Sequence, residues 1–317
     1  MVKVLVTDHI TLDPDEVGAG IKGNVDLVFA EDEESAKHEI VDAEVLFGRL
    51  TPELLKLGKK LRWVQAPFAG QEGHLFPEFI ESDILLTNVA GIYNEEIADH
   101  VYALILAFTR QIPRFTRNQS KRYWERGSGF KVDYLMGKTL GVIGLGGIGG
   151  EVAKRAPCFG MRVVATRAHP ELPRPDYADQ VWGPDGLDYL LAESDFVVIC
   201  TPETPRTRKM IGRKELNAMK RTAYIINIGR GAVIDLSALT QALKDGIIAG
   251  AGLDVFEIEP LPADHLLWEM ENVIITPHMA SSTDIYQARR VNRFLDNLSR
   301  YLQGKPLQSV VDKEDWH

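Results

Sequence analysis

The sequence is poor in cysteine and has no excess of positive charge. Its two cysteines, Cys158 and Cys200, cannot build a disulfide framework, and both lie in apolar stretches, so we expect buried, unreactive thiols in the cytoplasm. The formal net charge of -9 argues against a nucleic-acid partner, because proteins that bind phosphate backbones present a basic face. These shortages exclude a disulfide-rich secreted fold and a nucleic-acid-binding protein.

Long hydrophobic runs are also missing. The longest apolar helical stretch, residues 101–108, is too short to cross a bilayer, and the run at residues 2–6 is too short for a secretory signal. We therefore predict no membrane partner, and no metal site either. Apolar residues make up 45% of the 317 residues and charged residues 26%, which is typical of a globular chain with room for two domains.

What the sequence does contain is an alternation of short apolar runs and amphipathic stretches, which is typical of a parallel sheet flanked by helices. The predicted strands are residues 2–7, 45–47, 63–65, 85–87, 139–143, 162–165, 196–200, 224–228, 248–252 and 273–276. The predicted helices are residues 95–108, 148–158, 214–219, 236–244 and 282–302, and residues 117–133 are predicted to form an irregular connector. We expect the nearly all-round apolar helix at residues 95–108 to be buried between domains or subunits.

The strongest local signal is a glycine-rich turn between a predicted strand and a predicted helix. Gly144, Gly146 and Gly149 follow the apolar strand, and the next helix carries Ala153 on its inner face. In this setting the first glycine permits a tight turn, the second lets the backbone approach a pyrophosphate, and the third lets helix and strand pack closely. The amides at the start of the helix are then available to the phosphates of a dinucleotide. The alternative is a structural turn without a ligand.

The end of the following strand bears on which dinucleotide binds. NAD enzymes place an acidic residue there, about 20 residues beyond the glycines, to bind the ribose hydroxyls. Residues 166–169 contain no carboxylate, whereas Arg167 lies 18 residues after Gly149 and His169 is close by. A guanidinium can bind a 2′-phosphate through two parallel hydrogen bonds, so we predict that NADP is preferred over NAD. The alternative is that Arg167 stacks on the adenine while NAD binds.

Three further motifs fall at the carboxyl ends of predicted strands, where open parallel sheets bind ligands; they contain Arg230, Glu259 and His278. The planar guanidinium of Arg230 is suited to hold a carboxylate and to polarise a carbonyl group. The unperturbed pKa of a histidine, about 6.5, lies near working pH and makes His278 a natural proton donor. A carboxylate beside the ring, here Glu259, would orient it and favour its charged form. Taken singly, the alternatives are a salt-bridging arginine, a helix-start glutamate and a structural histidine.

In these motifs and in the glycine turn, the chain resembles the D-isomer-specific 2-hydroxyacid dehydrogenases, a family that includes glyoxylate and hydroxypyruvate reductases. The resemblance extends over nearly the whole chain and is closest at residues 137–281. It implies that Arg230 binds the substrate, that His278 acts as acid and base with Glu259 as the acidic partner, and that the product is the D-isomer. It further implies that Asp254 holds the nicotinamide carboxamide.

Other positions match the family less tightly. Residues 66–70 resemble the loop whose amides bind the substrate carboxylate, so Ala69 and Gly70 are candidate substrate ligands, although Gln71 and Glu72 depart from the family pattern. The candidate cofactor-binding residues are Gly144, Gly146, Gly147, Ile148, Gly149, Arg167, His169, Thr201, Pro202, Thr207, Ile228 and Asp254. For the loop at residues 201–207, ordinary turn formation is an open alternative. We expect His100 to be a buried, hydrogen-bonded interdomain residue and not a catalytic one.

Together these features predict two α/β domains, Rossmann-like or flavodoxin-like, with doubly wound parallel sheets. A Rossmann-type NAD(P)-binding domain at residues 99–281 is expected to be inserted into a discontinuous substrate domain at residues 1–98 and 282–317, with the active site in the cleft. The predicted activity is reduction of a small 2-keto acid by NADPH or NADH. We expect a homodimer, because those side chains of the apolar helix at residues 95–108 that the domain does not bury would otherwise form a sizeable exposed hydrophobic patch.

Two other functions remain possible from the sequence alone. A dehydrogenase of another small anion, such as formate or phosphite, would resemble this family. So would a dinucleotide-sensing corepressor that binds without turnover. The intact acid–base pair, Glu259 and His278, argues against the corepressor, and the sequence does not identify the keto acid.

Overall fold

The computed structural model describes residues 1–7, 23–70, 75–127 and 129–314. Contacts between Cα atoms divide the chain into two compact units, one made of Met1–Ile92 with Thr283–His317 and the other of Tyr93–Ser282. Within the described residues, no helix combines the length and the apolar character needed to cross a bilayer.

The first unit is built around a parallel sheet of five strands. These strands are β1 (Val2–Val6), β2 (Val25–Phe29), β3 (Val45–Phe47), β4 (Trp63–Gln65) and β5 (Leu85–Thr87). Their spatial order, β2-β1-β3-β4-β5, is that of flavodoxin-like doubly wound sheets. The helices described between these strands are α1 (Glu33–Glu39), α2 (Pro52–Leu57) and α3 (Pro77–Ile80).

The second unit contains a parallel sheet of seven strands. They are β6 (Thr139–Ile143), β7 (Arg162–Thr166), β8 (Gln180–Trp182), β9 (Phe196–Ile199), β10 (Tyr224–Asn227), β11 (Gly250–Leu253) and β12 (Val273–Ile275). Its helices are α4 (Asn94–Thr109), α5 (Ile112–Ser120), α6 (Gly147–Arg155), α7 (Leu187–Glu193), α8 (Arg213–Ala218) and α9 (Leu236–Lys244), with 3₁₀ turns at Ala156–Phe159, Pro184–Gly186, Gly231–Val233 and Leu266–Glu269. The order β12-β11-β10-β9-β6-β7-β8 is the dinucleotide-binding order with one extra strand, and it changes direction between β6 and β9.

Helix α4 is packed inside the second unit. The Tyr102 hydroxyl donates to the carbonyl of Val152 on α6 at 2.9 Å, and the Phe108 ring stacks on Tyr224 with centroids 4.7 Å apart. These contacts explain why the division between the units precedes α4, whereas the sequence predicts a boundary after Ala98. Most apolar side chains of α4 are buried, so the helix does not expose the hydrophobic patch that the sequence suggested.

The C-terminal helix α10 (Tyr286–Leu302) belongs to the first unit. Its fully buried Phe294 packs edge-on against Phe47 at 4.8 Å between ring centroids and stacks on Trp63 at 6.0 Å. The following chain runs beside β5, where the amide of Val311 donates to the carbonyl of Leu86 at 2.8 Å. The first unit is therefore completed by residues from both ends of the described chain.

The predicted fold class of two α/β domains with parallel sheets is confirmed, and the larger differences concern elements that the sequence did not reveal. The predicted strands are present with shifts of two residues or fewer, and helix 236–244 has its predicted bounds. The elements absent from the predicted strands and helices are β2, β8, α1, α2, α3, α5 and α7, and α5 includes residues 117–120, which were expected to be irregular. Cys158 is exposed, so the expectation that it is buried is wrong. Cys200 is half-buried, and burial raises the pKa of its thiol to about 12.

Candidate active site

The three predicted catalytic residues follow neighbouring strands at one edge of the second unit's sheet. Arg230 lies three residues after β10, Glu259 six residues after β11 and His278 three residues after β12. Strands β10, β11 and β12 are adjacent and parallel, so their carboxyl ends meet at the same edge. This is the edge at which doubly wound sheets bind their ligands.

Glu259 and His278 form a direct pair. The Nδ1 atom of His278 lies 2.8 Å from Oε2 of Glu259, and the other carboxylate oxygen accepts the amide of Phe256 at 2.9 Å. Because an ionised carboxylate can only accept, Nδ1 carries a proton in this pair, and Nε2 is the ring nitrogen left to exchange a proton with a substrate. The His278 side chain is 50% exposed, so the ring remains accessible.

The backbone at His278 is held in an unusual conformation by Asp254. His278 has a φ of 54°, in the left-handed region that few residues other than glycine adopt. Its amide donates to the Asp254 carbonyl at 2.8 Å, while the Asp254 carboxylate accepts the amides of Met279 and Ala280, each at 2.9 Å. Asp254 is 1% exposed, so these bonds form in a buried setting and fix the loop that carries the histidine.

A hydrogen-bond chain extends from Asp254 to His100. The Thr276 hydroxyl donates to Oδ1 of Asp254 at 2.5 Å, and Nε2 of His100 lies 3.0 Å from the same hydroxyl oxygen. Because that hydroxyl proton points to the carboxylate, Nε2 of His100 is the donor to Thr276. His100 is thus hydrogen-bonded as expected, although it is half-buried and its partners Thr276 and Asp254 belong to its own unit. Both carboxylate oxygens of Asp254 already accept hydrogen bonds from the protein. The predicted contact of Asp254 with a nicotinamide stays a prediction.

The Arg230 loop is shaped by a buried asparagine. The side chain of Asn227, which is 1% exposed, accepts the Gly229 amide at 3.1 Å and donates to the Arg230 carbonyl at 3.0 Å. A Cβ on Gly231 would lie 1.8 Å from the carbonyl carbon of Phe256, so only glycine permits this close approach. The loop that carries Arg230 therefore contacts the chain segment whose amide, that of Phe256, binds Glu259.

The glycine turn has the geometry that a dinucleotide requires. Gly144 has a φ of 95°, and a Cβ on Gly149 would lie 2.1 Å from the Gly144 carbonyl oxygen, so the strand and α6 touch through glycine alone. By contrast, a Cβ on Gly146 would meet nothing within 4 Å. The open side of Gly146 leaves room for a ligand to approach the backbone.

The residues around this turn fit a dinucleotide phosphate group. Gly147, Ile148 and Gly149 begin α6, where the first amides have no acceptor within the helix. The hydroxyl oxygen of Thr201, just after β9, is buried without a hydrogen-bond partner among the described residues. Cβ atoms placed on Gly144 and Gly229 would lie 2.8 Å from Cγ2 and 2.5 Å from the carbonyl oxygen of Thr201, respectively. Thr201 thus lies between the cofactor turn and the arginine loop.

The remaining residues of the predicted cofactor set have more local surroundings. The Thr207 hydroxyl donates to the Pro202 carbonyl at 2.7 Å and accepts the Thr204 amide at 2.8 Å, so it closes the turn of its own loop. Ile228 is buried and Pro202 is exposed. Direct cofactor contact by Pro202, Thr207 and Ile228 stays a prediction.

Arg167 directly follows β7 and turns back on its own loop. Its guanidinium donates to the carbonyl of Leu172 and lies 3.4 Å from that of Pro173, and its Nε is buried without a hydrogen-bond partner among the described residues. Nδ1 of His169 lies 3.2 Å from Oε1 of Glu171. A carboxylate thus stands close to the predicted phosphate-binding residues, just beyond the stretch that lacks one, and the preference for NADP stays a prediction.

The candidate substrate loop follows β4 in the first unit. Ala69 and Gly70 are half-buried, and the Ala69 carbonyl accepts a hydrogen bond from the side chain of Asn88 at 3.0 Å. Gln71 and Glu72, where the sequence departs from the family pattern, lie outside the described residues.

The structure adds three polar residues that the sequence did not single out. Asn88 and Thr276 immediately follow β5 and β12, and Asn227 is the last residue of β10. Each one shapes a loop at the carboxyl edge of its sheet. A polar residue that closes an apolar strand would have been the signal for all three. The described residues contain no group of three His, Cys, Asp or Glu side chains suited to a metal ion.

Comparison with known proteins gives consistent matches. Residues 102–280, more than half of the chain, match the family model described as D-isomer specific 2-hydroxyacid dehydrogenase, NAD binding domain. A glyoxylate reductase from Korarchaeum cryptofilum is 34% identical over 98% of this chain and 96% of its own length. A D-3-phosphoglycerate dehydrogenase from Methanocaldococcus jannaschii is 35% identical over 98% of this chain, which spans only 60% of that relative.

A solved structure agrees with these matches. The D-isomer specific 2-hydroxyacid dehydrogenase from Xanthobacter autotrophicus, in complex with NADPH and MES, superposes with a TM-score of 0.84 at 26% identity, covering 99% of this chain and 98% of its own. Family model, relatives and fold thus agree with one another. The chain belongs to the D-isomer specific 2-hydroxyacid dehydrogenases, a family of NAD(P)-dependent oxidoreductases.

Proposed function

We propose that this protein reduces a small 2-keto acid to the D-2-hydroxy acid, with NADPH preferred over NADH. The observation that carries the proposal is the 2.8 Å contact between Nδ1 of His278 and the Glu259 carboxylate. This contact fixes the ring and leaves its Nε2 accessible as a proton donor. His278 follows β12 and Arg230 follows β10, and only β11 lies between these two strands. A binding protein without turnover would have no need of such a pair.

Arg230, His278 and Glu259 have different roles in the proposed reduction. Arg230 binds the substrate carboxylate and the carbonyl oxygen, so that its positive charge stabilises the negative charge developing on that oxygen. When bound, the reduced nicotinamide supplies a hydride to the carbonyl carbon. His278 gives the proton at Nε2 to the carbonyl oxygen, and Glu259 orients the ring and stabilises the charge that the ring carries before transfer.

Cofactor binding is assigned to the glycine turn and its neighbours. The open face over Gly146, the amides at the start of α6 and the unpartnered Thr201 hydroxyl support a pyrophosphate site there. Arg167 and His169 after β7 support the preference for NADPH, and the relative from Xanthobacter autotrophicus was solved with NADPH. In binding a 2′-phosphate, Arg167 would exchange its contacts with the Leu172 and Pro173 carbonyls for the ligand.

The first unit contributes the substrate loop in this proposal. The amides of Ala69 and Gly70 supply hydrogen-bond donors for the substrate carboxylate. Both residues are half-buried and follow the buried Ala66 and Pro67, so the loop is anchored at one end and accessible at the other.

We also propose that the protein is a homodimer and works in the cytoplasm. An ordered segment after α4 supports the first point: Arg114 binds Glu125 through two hydrogen bonds and lies 5.0 Å from the Phe130 ring centre, yet the neighbouring Trp124 is 90% exposed. Other exposed apolar side chains of this region are Ile112, Tyr123, Val132, Tyr134 and Met136. The two free cysteines fit a reducing compartment.

The function is tested by following the nicotinamide absorbance of purified protein with NADPH or NADH and glyoxylate, hydroxypyruvate or phenylpyruvate. We expect oxidation of the cofactor with at least one keto acid, a higher kcat/KM with NADPH, and the D-isomer on chiral analysis of the product. A flat trace with every keto acid, together with tight cofactor binding, would favour a dinucleotide-sensing protein. Turnover with formate or phosphite alone would favour a dehydrogenase of another anion.

A further inference from the structure

Asn88 lies at the point where β5 meets the candidate substrate loop. It is 7% exposed, and its side-chain amide donates to the Ala69 carbonyl at 3.0 Å. The same side chain accepts the Ala90 amide at 3.0 Å, and the Asn88 backbone amide donates to the Ser309 carbonyl at 3.1 Å. Asn88 is thus fixed on one side by the C-terminal chain and reaches the loop with the other.

The two side-chain bonds decide which way the amide group faces. An amide oxygen only accepts and an amide nitrogen only donates. The Ala90 amide is a donor and the Ala69 carbonyl is an acceptor, so one orientation of the Asn88 side chain satisfies both partners. In that orientation a buried donor is committed to Ala69.

The bond to Ala69 has a consequence for the next amide. In a planar trans peptide the carbonyl and the following N–H point in opposite directions. The 69–70 carbonyl is drawn toward the buried Asn88, so the N–H of Gly70 is turned to the other side, and Gly70 is half-buried. We propose that Asn88 is a positioning residue, which aims the Gly70 amide at the substrate carboxylate without touching the substrate. This inference rests on the proposed function.

The test compares two variants that differ in one bond. Asn88→Asp keeps an acceptor for the Ala90 amide but, when ionised, has no donor for Ala69 and repels its carbonyl oxygen. Asn88→Ala removes both bonds. Asn217→Asp is the matched control, because Asn217, at an exposed position of α8 in the second unit, also donates to a backbone carbonyl, that of Arg213, at 2.6 Å.

We expect both Asn88 variants to raise the KM for the keto acid about 10-fold, since a hydrogen bond to a charged group is weakened. The kcat and the KM for NADPH should change little, because the lost contact holds the substrate throughout the reaction and not only in its transition state. Asn217→Asp should behave as the unchanged protein. Thermal unfolding of each variant shows whether it is folded, and if Asn88→Asp is not, a normal KM in Asn88→Ala overturns the inference.

The outcomes separate this inference from the proposed function. A normal KM in Asn88→Asp with a raised KM in Asn88→Ala would show that only the anchor to Ala90 matters and would overturn the inference. An equal rise in Asn217→Asp, or a fall in kcat without a rise in KM, would also overturn it. If the unchanged protein reduces no keto acid, the proposed function fails and the inference fails with it.

Discussion

At the scale of single residues, His278 combines an accessible ring with a fixed orientation. Its Nδ1 is occupied by Glu259, and its backbone is held by Asp254 in a left-handed conformation. Replacing His278 with alanine removes the proposed proton donor and leaves the glycine turn intact. We expect His278→Ala to lower kcat for keto-acid reduction by roughly 10²–10⁴-fold with little change in NADPH affinity, measured by steady-state kinetics and fluorescence titration.

The matched control for that experiment is His38→Ala. The His38 side chain is 85% exposed on α1 and pairs with Glu39. We expect His38→Ala to change neither kcat nor NADPH affinity. An unchanged rate in His278→Ala would remove this residue from the mechanism.

Arg167 is the residue to which we assign the proposed preference for NADPH. We expect Arg167→Asp to lower the ratio of kcat/KM for NADPH to that for NADH by at least ~10-fold, because a lost charge-assisted contact is worth ~1.5–3 kcal/mol. Arg162→Asp, at the opposite end of β7, where Arg162 pairs with Glu193, is the control for a changed surface charge. If the ratio is the same in both variants, another residue selects the cofactor.

The sequence predicted some of these residues and not others for a physical reason. Arg230, Glu259 and His278 each follow an apolar strand within a few residues, so sequence alone places them at one edge of a parallel sheet. The partners of Asn88 and Thr276 are Ala69 and Asp254, about 20 residues away in the chain. Hydrogen bonds of that range depend on strand register, which the sequence does not reveal.

At the scale of elements, the turn from β6 into α6 allows fold and ligand binding to be separated. Gly149 touches the Gly144 carbonyl, and the space beside Gly146 is open. We expect Gly149→Ala to lower the free energy of unfolding by ~1–3 kcal/mol through overpacking. Gly146→Ala should be as stable as the wild-type protein. We expect it to lower NADPH affinity at least ~10-fold, because the added methyl group would occupy the side from which we propose that the pyrophosphate approaches.

Denaturant unfolding and calorimetric titration of the two variants decide the point. Normal NADPH affinity in Gly146→Ala would argue against a pyrophosphate on this face. Normal stability in Gly149→Ala would mean that strand and helix can move apart at low cost.

The two strands that the sequence missed both lie at the edge of a sheet. Strands β2 and β8 are the outermost strands of their sheets, next to β1 and β7 respectively. Their residues are only partly buried, so they lack the continuous apolar run that marks the central strand β6. The edge strands β5 and β12, which the sequence did predict, each contain at least one buried residue, so the strands that escape prediction are edge strands without a buried residue.

At the scale of the whole molecule, the exposed Trp124 provides the test of the proposed homodimer. Large aromatic side chains at the centre of an interface contribute much of the binding energy. We expect the unchanged protein to sediment as a dimer and Trp124→Asp to shift it toward the monomer in analytical ultracentrifugation. Tyr189→Asp is the control, since Tyr189 is 66% exposed on α7. A dimer unaffected by Trp124→Asp would place the interface elsewhere, and a monomeric unchanged protein would refute the dimer.

The division of the first unit between two chain segments has a consequence for biosynthesis. The second unit is one continuous segment, whereas the first must wait for α10 to leave the ribosome before Phe294 can cover Phe47 and Trp63. The nascent chain therefore carries an unfinished apolar sheet while the second unit is being made, and such surfaces attract other unfolded chains. A chain terminated after Ser282 would retain every strand of the second unit and leave that sheet face permanently bare.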